Sequence, residues 1–399
     1  MVKGDILIWT GFSLSIVALL YISRRSLWLA MTTAAVVLGL FTLSTSQMLI
    51  VLTRTFTDPS VLLIAFVVGI IPLVGGALEE SGEMDRLVAN MRMRKRPFFA
   101  VAPALLGMLP MPGGALLSAP LIERGGEGVP ADVKAAANVW FRHAFLLVYP
   151  LGSSLIASAK IASVGLYQAI LFLFPAFFLT VAIGYFILLR HVQGRMKYEE
   201  QFSLAGLLVP LGIILSAPVI DIAMKSMLPL RYPEIGTAVG VSVSLLLAMT
   251  IGRIGVRQLP AIVAKMRPWK YVFIILAMFL FLNVFTLSGS PEVLASLDLP
   301  PVVLCIVIGF VLGMITGRIQ TPIAIVVPIF ITAHGAMSLP AFAVTYFAIY
   351  LGYVISPVHP CVSVSIEYFS ISMSTFLRRM ALPVAITGLA DLAVALFVL

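Results

Sequence analysis

The chain has 399 residues, 61% of them hydrophobic and only 11% charged, with a formal net charge of +9. A soluble domain carries about 25% charged residues, so this composition excludes one and places the chain among polytopic helical membrane proteins. The basic excess reflects Lys and Arg retained on the cytoplasmic side rather than a nucleic-acid partner. The alternating pattern of an outer-membrane barrel is absent. The two cysteines, Cys305 and Cys361, lie in apolar context and indicate no disulfide framework. The first apolar run is not followed by a small-residue cleavage site and reads as a retained helix.

In chain order, the apolar runs predict spanning helices at 5–22, 27–44, 59–79, 131–159, 163–189, 203–220, 234–252, 270–287, 340–370 and 380–399. Two further segments, 98–122 and 300–330, read as hairpins that leave the membrane on the side they enter. In the first, GMLPMPGGALLSAP (Gly107 to Pro120), two prolines and two glycines fall within the run Pro110–Gly114. Proline removes a backbone donor and clashes with the preceding turn, so no continuous helix passes through it. In lipid, irregular backbone survives only where protein encloses it or it lines a cavity. The second hairpin carries a related stretch, GMITGRIQTPIAIVVP (Gly313 to Pro328).

This layout puts most of the 26 Lys and Arg on one side of the membrane, with Lys3, Arg54, Lys160, Lys225 and Arg231 on the other and Arg142 and Arg318 inside. The basic-rich side is cytoplasmic by the positive-inside rule. The sequence therefore predicts a multi-pass protein of the cytoplasmic (inner) membrane with both termini outside. The connectors Glu79–Arg96 and Arg253–Lys270 read as cytoplasmic amphipathic segments, the latter with Trp269 and Tyr271 at headgroup level.

The two halves match weakly but in one order. QMLIVLTRTFTDP precedes the third helix as QLPAIVAKMRP does in the second half; EESGEMDRL pairs with TLSGSPEVL, and YPLGSSLI with HPCVSVSI. Each half holds five crossings, an odd number, so the second is inverted relative to the first. The expected fold is all-α: two inverted-topology repeats, each of five transmembrane helices plus one re-entrant hairpin. Scaffold helices occupy 1–97 and 203–299. Transport elements occupy 98–202 and 300–399, with broken helices at 131–159 and 340–370.

Two unusual hairpins at matching places in two halves point to a secondary carrier's binding site. Pro150, Gly152, Pro357 and Pro360 unwind the broken helices, so four helix ends meet near the midplane. Half-helix N-termini there favour an anion. Candidate substrate ligands are Gly113, Gly114, Ser153, Ser154, Arg318, Gln320, Thr321, Ser356, Ser363 and Arg142. The Arg318 fork fits a carboxylate or phosphate oxygen pair, and an arginine inside the membrane is a functional-site hypothesis by default. Arg142 either neutralises an anion or braces the first hairpin. His359, His143 and Thr316 are candidates for the coupling ion or proton. His359 can carry a proton or simply bond a freed carbonyl, and His143 can be a satisfied interior residue. Glu367 reads as interfacial, Asp391 as structural and Lys160 as lying at the outer interface.

The motifs GMLPMPGGAL, YPLGSS, TGRIQTP and SPVHPCVSVS resemble those of the ion transporter superfamily, which includes permeases for gluconate, citrate, dicarboxylates and arsenite. Most closely the chain resembles an integral-membrane branch of unknown function, number four hundred and one. The resemblance implies an elevator-type carrier, usually homodimeric. The tips lack the Ser-Asn-Thr motifs of sodium-coupled dicarboxylate members, and the tip arginine points to another small anion.

The sequence thus predicts a secondary active transporter of a small organic anion, coupled to protons or sodium, embedded in lipid, with no cofactor and no metal. A cation/proton antiporter is the alternative, although neither hairpin tip and neither helix break holds an acidic residue. An intramembrane enzyme is more remote: His359 and Cys361 stand two residues apart, with no metal-ligand cluster or Gly-x-Ser-x-Gly elbow in the sequence.

Overall fold

The computed structural model describes residues 3–23, 25–108, 114–196 and 201–399. Among these, regular structure is helical throughout: α1 Lys3–Ser23, α2 Leu27–Thr42, α3 Thr45–Thr57, α4 Pro59–Glu80, α5 Glu83–Ala89, α6 Lys95–Gly107, α7 Gly114–Gly125, α8 Ala131–Ala144, α9 Ser153–Ile161 and α10 Leu166–Ile183. The second half gives α11 Leu204–Met227, α12 Glu234–Ile251, α13 Leu259–Met266, α14 Pro268–Leu287, α15 Ser290–Ala295, α16 Gly309–Thr316, α17 Gln320–His334, α18 Leu339–Ile355, α19 Pro360–Tyr368 and α20 Met373–Val398. Wider π-type turns extend α10 over Gly184–Leu188 and precede α16 over Val303–Ile308. Eight helical segments are long and apolar enough to cross a membrane, which makes this a multi-pass membrane protein.

Local chemistry sets many boundaries. The Ser44 hydroxyl accepts from the Gln47 amide while the Gln47 side chain accepts from the Ser44 amide, a reciprocal cap that starts the amphipathic α3. The Asp58 side chain accepts from the Ser60 and Val61 amides, with Pro59 in the first helical position of α4. The Ser338 and Ser372 hydroxyls start α18 and α20 in the same way.

Two boundaries differ from the sequence expectation because charges there find partners. The final helix begins at Met373 rather than 380, and its Arg379 guanidinium donates through Nε to Asp132 of α8 at 2.7 Å. The helix expected at 203–220 runs on to Met227, carrying Asp221 and Lys225 one turn apart. Asp221 is fully buried. Its carboxylate accepts from Lys225 Nζ at 2.9 Å, the Thr237 hydroxyl at 3.0 Å and the Tyr167 hydroxyl at 2.5 Å.

Helices α1 and α2 pack together, as do α11 and α12; α2 lies on α14, α12 on α4, and α4 against α14. The α6–α7 pair returns to its start: Lys95 Nζ donates to the Glu127 carbonyl at 3.0 Å. The α16–α17 pair does likewise, since Leu299, Leu304, Ala333 and His334 line one small pocket. Helices α6 and α16 lie on α8 and α18; α7 packs on α19, and α17 on α9. The centre holds the fully buried side chains of Trp140, Phe342, Tyr346 and Tyr350, whereas Phe178, Phe186, Leu204, Leu389 and Phe397 of α10, α11 and α20 lie exposed on the outside, as a lipid-facing surface requires.

Removing one partner of a buried ion pair costs about 3–5 kcal/mol, because the other charge is stranded. Asp221→Ala should therefore lower the apparent melting temperature of the detergent-purified protein by several degrees, and the Asp221→Ala/Lys225→Met double variant should recover most of the loss. Equal melting temperatures for wild type and the single variant would remove this cluster as a stabilising element.

Candidate functional site

Helix α8 is the most polar of the buried helices. Lys134, Asn138 and Arg142 recur every fourth residue and so share one face, and all three are buried. That face zips onto α7. Lys134 Nζ donates to Glu123 at 2.9 Å, the Asn138 amide donates to the Ala115 carbonyl at 3.3 Å, and Arg142 donates to the Ser118 hydroxyl at 3.3 Å. Asn138 also donates to Ser365 of α19 at 3.0 Å. One helix thereby clamps the return arm of the first hairpin and the helix that crosses it. Behind it α6 sits very close: a Cβ on Gly107 would lie 1.8 Å from the Arg142 carbonyl oxygen.

Two helices near the cavity are interrupted, between α8 and α9 and between α18 and α19. The first continues from α8 through a 3-10 turn at Phe145–Leu147, unwinds over 148–152 and restarts at Ser153; the second stops at Ile355 and restarts at Pro360. The second hairpin reaches this second break. Gly317 adopts φ +57°, a left-handed conformation that glycine takes without strain, and a Cβ there would lie 3.0 Å from the His359 amide and from the Ser356 hydroxyl. The tip therefore rests on the break and delivers Arg318 beside it.

Between these elements lies a cavity of about 290 Å³, near the lower bound of ordinary small-molecule sites. Its wall includes the first residues of four helices: Ala115 of α7, Ser153 and Ser154 of α9, Gln320 of α17, and Pro360 and Cys361 of α19. Arg142, His143, Tyr271, Arg318, Tyr353 and His359 complete its polar lining, and no carboxylate is among the described lining residues. Arg142 is buried and donates to Ser118. Arg318 is half-buried, and no described residue offers its guanidinium a hydrogen bond or ion pair.

Of the residues singled out in the sequence, Ser153, Ser154, Arg318, Gln320, Arg142, His143 and His359 line the cavity. Gly114 begins α7 beside the lining residue Ala115; Gly113 and the rest of the first tip, 109–113, lie outside the described residues. The remaining candidates do not line it. Ser356 is buried inside the break, where its hydroxyl accepts from the Val358 amide at 3.3 Å. Thr316 donates to the Leu312 carbonyl at 2.7 Å within its own helix. Thr321 is fully buried, and its hydroxyl has no described partner. Ser363 is exposed on the other face of α19.

Tyr271, in the first turn of α14, which begins at Pro268, also lines the cavity. Tyr353 was not anticipated; it stands in the last turn of α18, just before the break. His143 and His359 meet although far apart in sequence, with ring centroids 4.6 Å apart, and Tyr353 stacks on His359 at 4.1 Å. With Cys361 they bring together imidazole and thiol groups that the sequence, read for local spacing, showed as no cluster.

No curated protein matches the chain. Among solved structures it is similar to the YdaH transporter of Alcanivorax borkumensis, 17% identical over 87% of this chain and 86% of that one, with a TM-score of 0.56. It is also similar to MtrF of Neisseria gonorrhoeae, described with a class of antimetabolite efflux pumps, 16% identical over 88% and 82%, with a TM-score of 0.50. These likenesses concern the fold.

The packing makes a direct prediction. Gly107→Ala should force α6 off α8, since the new methyl would overlap the Arg142 carbonyl. The variant should melt at lower temperature than a Gly212→Ala control, where a Cβ meets nothing within 4 Å. Equal stabilities would show that α6 and α8 do not pack this closely. At the level of the whole sequence, a family described as protein of unknown function, DUF401, matches residues 7–399, and the chain belongs to that family.

Proposed function

We propose that the protein is a secondary active transporter that moves a small organic anion, a carboxylate in the simplest case, across the cytoplasmic membrane by an elevator mechanism driven by protons or sodium. The observation that carries this reading is the cavity wall. Helix N-termini present unpaired amides and partial positive charge; here four of them, Arg142 and the unpaired Arg318 face one space with no carboxylate to balance them. An enclosed positive field of that kind suits an anion and disfavours the cation/proton antiporter. The solved neighbours of similar fold are a transporter and an efflux pump, not enzymes.

Internal repetition supports the carrier architecture. The succession α1–α10 recurs in α11–α20: two long helices, a short interfacial helix, a long helix, a one- to two-turn helix, a hairpin, a broken helix and a final helix. Backbone detail recurs with it. Gly82 and Gly289 both precede the short helices α5 and α15 with φ near +75°, at +75° and +74°, and Ser163 and Ser370 both follow the second part of a broken helix with φ of 55° and 52°. The contacts are reciprocal too, since α2 on α14 answers α12 on α4, and α7 on α19 answers α17 on α9. Two inverted repeats related by a pseudo-two-fold axis generate such a pattern. In this reading the hairpins are re-entrant. The arms α6 and α7, of 13 and 12 residues, span about 20 Å at 1.5 Å per residue, short of a hydrocarbon core of about 30 Å.

The scaffold of this proposal comprises α1–α5 and α11–α15, and the moving part α6–α10 and α16–α20. Scaffold residues Leu27 and Tyr271 line the cavity at the ends of α2 and α14 that follow basic loops. On the opposite face the two parts are tied together: Lys160 of α9 pairs with Glu234 of α12 at 3.1 Å, and Tyr167 of α10 donates to Asp221 of α11. This arrangement fits a cavity facing the cytoplasm, in a carrier that we propose works as a homodimer.

The test is a thermal-shift screen of purified protein against small carboxylates and phosphates, since a ligand that binds only the folded state raises the melting temperature. A carboxylate that stabilises wild type should not stabilise Arg318→Ala, whose unliganded melting temperature should stay close to wild type, and uptake of that carboxylate in vesicles should be lost. Undiminished uptake by Arg318→Ala would overturn the assignment.

A further inference from the structure

We propose that His143, His359 and Cys361 form a binding site for a borderline-soft transition-metal ion of the zinc class. The donor atoms of the three side chains all lie within 4.8 Å of one another. Tetrahedral zinc, with bonds of about 2.0–2.1 Å to nitrogen and 2.3 Å to sulfur, needs its ligand atoms roughly 3.3–3.6 Å apart. The trio must close to that spacing when the ion binds.

Two details show that the imidazoles are set up as ligands. His143 Nδ1 lies 2.6 Å from the Val139 carbonyl oxygen, one turn earlier on α8. A carbonyl only accepts, so Nδ1 carries the proton and donates. The bond leaves the Nε2 lone pair free on the neutral ring and fixes the ring's orientation, as the outer partner of a metal-bound histidine does. His359 is 2% exposed, yet its Nδ1 has no hydrogen-bond partner. A buried polar atom without a partner is costly, and a metal bond would satisfy it. Cys361 stands two residues on, in the first turn of α19, and its thiol is the third donor.

The donor set selects the ion. Imidazole and thiol are ligands for zinc, copper or nickel, whereas sodium, magnesium and calcium take oxygen. Three protein ligands leave a fourth position, and because all three residues line the cavity, that position opens into it. Arg142 and Arg318 stand nearby and oppose a bare divalent ion, so the bound ion carries an anionic fourth ligand, chloride or a carboxylate oxygen. The site rests on the geometry of the trio and stands whether or not the protein is a carrier.

The experiment uses tag-free, full-length protein in detergent. Zinc binding is measured by calorimetry and by metal analysis after gel filtration in chloride buffer, and Co2+ serves as a spectroscopic probe for a sulfur ligand. Wild type should bind one equivalent of Zn2+, and Co2+ should give a thiolate-to-metal charge-transfer band. Cys361→Ser should abolish the band, and Cys361→Ser and His143→Gln should each weaken zinc binding by about 100-fold or more, beyond the effect typical of outer-shell changes. Cys305→Ser, which removes the other, buried thiol, should leave both readouts intact, and in that background Zn2+ should protect Cys361 from alkylation. Substoichiometric zinc in wild type, or zinc binding unchanged by Cys361→Ser, would overturn the proposal. Neither outcome depends on transport, so failure here leaves the anion-carrier reading untouched, and loss of that reading leaves this one.

Discussion

Broken backbone cannot face lipid. Every amide and carbonyl freed between Val148 and Gly152, between Ser356 and His359 and at the Gly317 turn has to be enclosed by protein or given to water and ligand, and the packing around the centre of this molecule follows from that requirement. The interior helices α8 and α18 are the ones that break; α8 is covered by α6, α7, α19 and α20, and α18 by α16, α20 and α10. The glycine at 107 lets α6 approach until only a hydrogen fits, and Gly352 does the same for α18 against the Phe310 carbonyl. Close backbone contact of this kind is how membrane helices associate where the hydrophobic effect between them is weak.

The same constraint produces the chemistry. Helix starts that are enclosed together add their partial charges instead of losing them to solvent. The polar stripe of α8 holds that arrangement in place. Lys134, Asn138 and Arg142 reach across to Glu123, Ala115 and Ser118, and Asn138 also reaches Ser365. Arg142 contacts the first hairpin through Ser118 and also lines the cavity. Arg318, by contrast, arrives on a tight turn with its charge unspent.

Much of this was legible in the chain. Proline and glycine fix local backbone by their own geometry, so Pro150, Gly152, Pro357 and Pro360 marked the breaks and Gly317 with Arg318 marked a tip before any packing was known. What was not legible depends on rotation about helix axes and on contacts distant in sequence. After a break the register of the next helix is free, so Ser363 could not be told from Cys361 as the residue that faces inward. The Lys134–Asn138–Arg142 stripe was visible as a four-residue repeat, but its partners were not. His143 and His359 became neighbours only through the fold. Asp221 and Lys225 lengthened α11 because each neutralises the other, whereas a reading by hydropathy ends the helix at the first charge.

The central claim is that two hairpins dip into the membrane from opposite faces and return. Thiol accessibility tests it most directly. In a background with Cys305→Ser and Cys361→Ser, single cysteines are placed at the exposed ends of each hairpin, Arg94→Cys and Glu127→Cys for the first, Ser296→Cys and Ala336→Cys for the second. They are labelled with an impermeant reagent from one side of sealed, oriented vesicles. The account predicts that Arg94→Cys and Glu127→Cys react from the same side, and that Ser296→Cys and Ala336→Cys react together from the other. Labelling of the two ends of either hairpin from opposite sides would make that segment a membrane span and contradict the account.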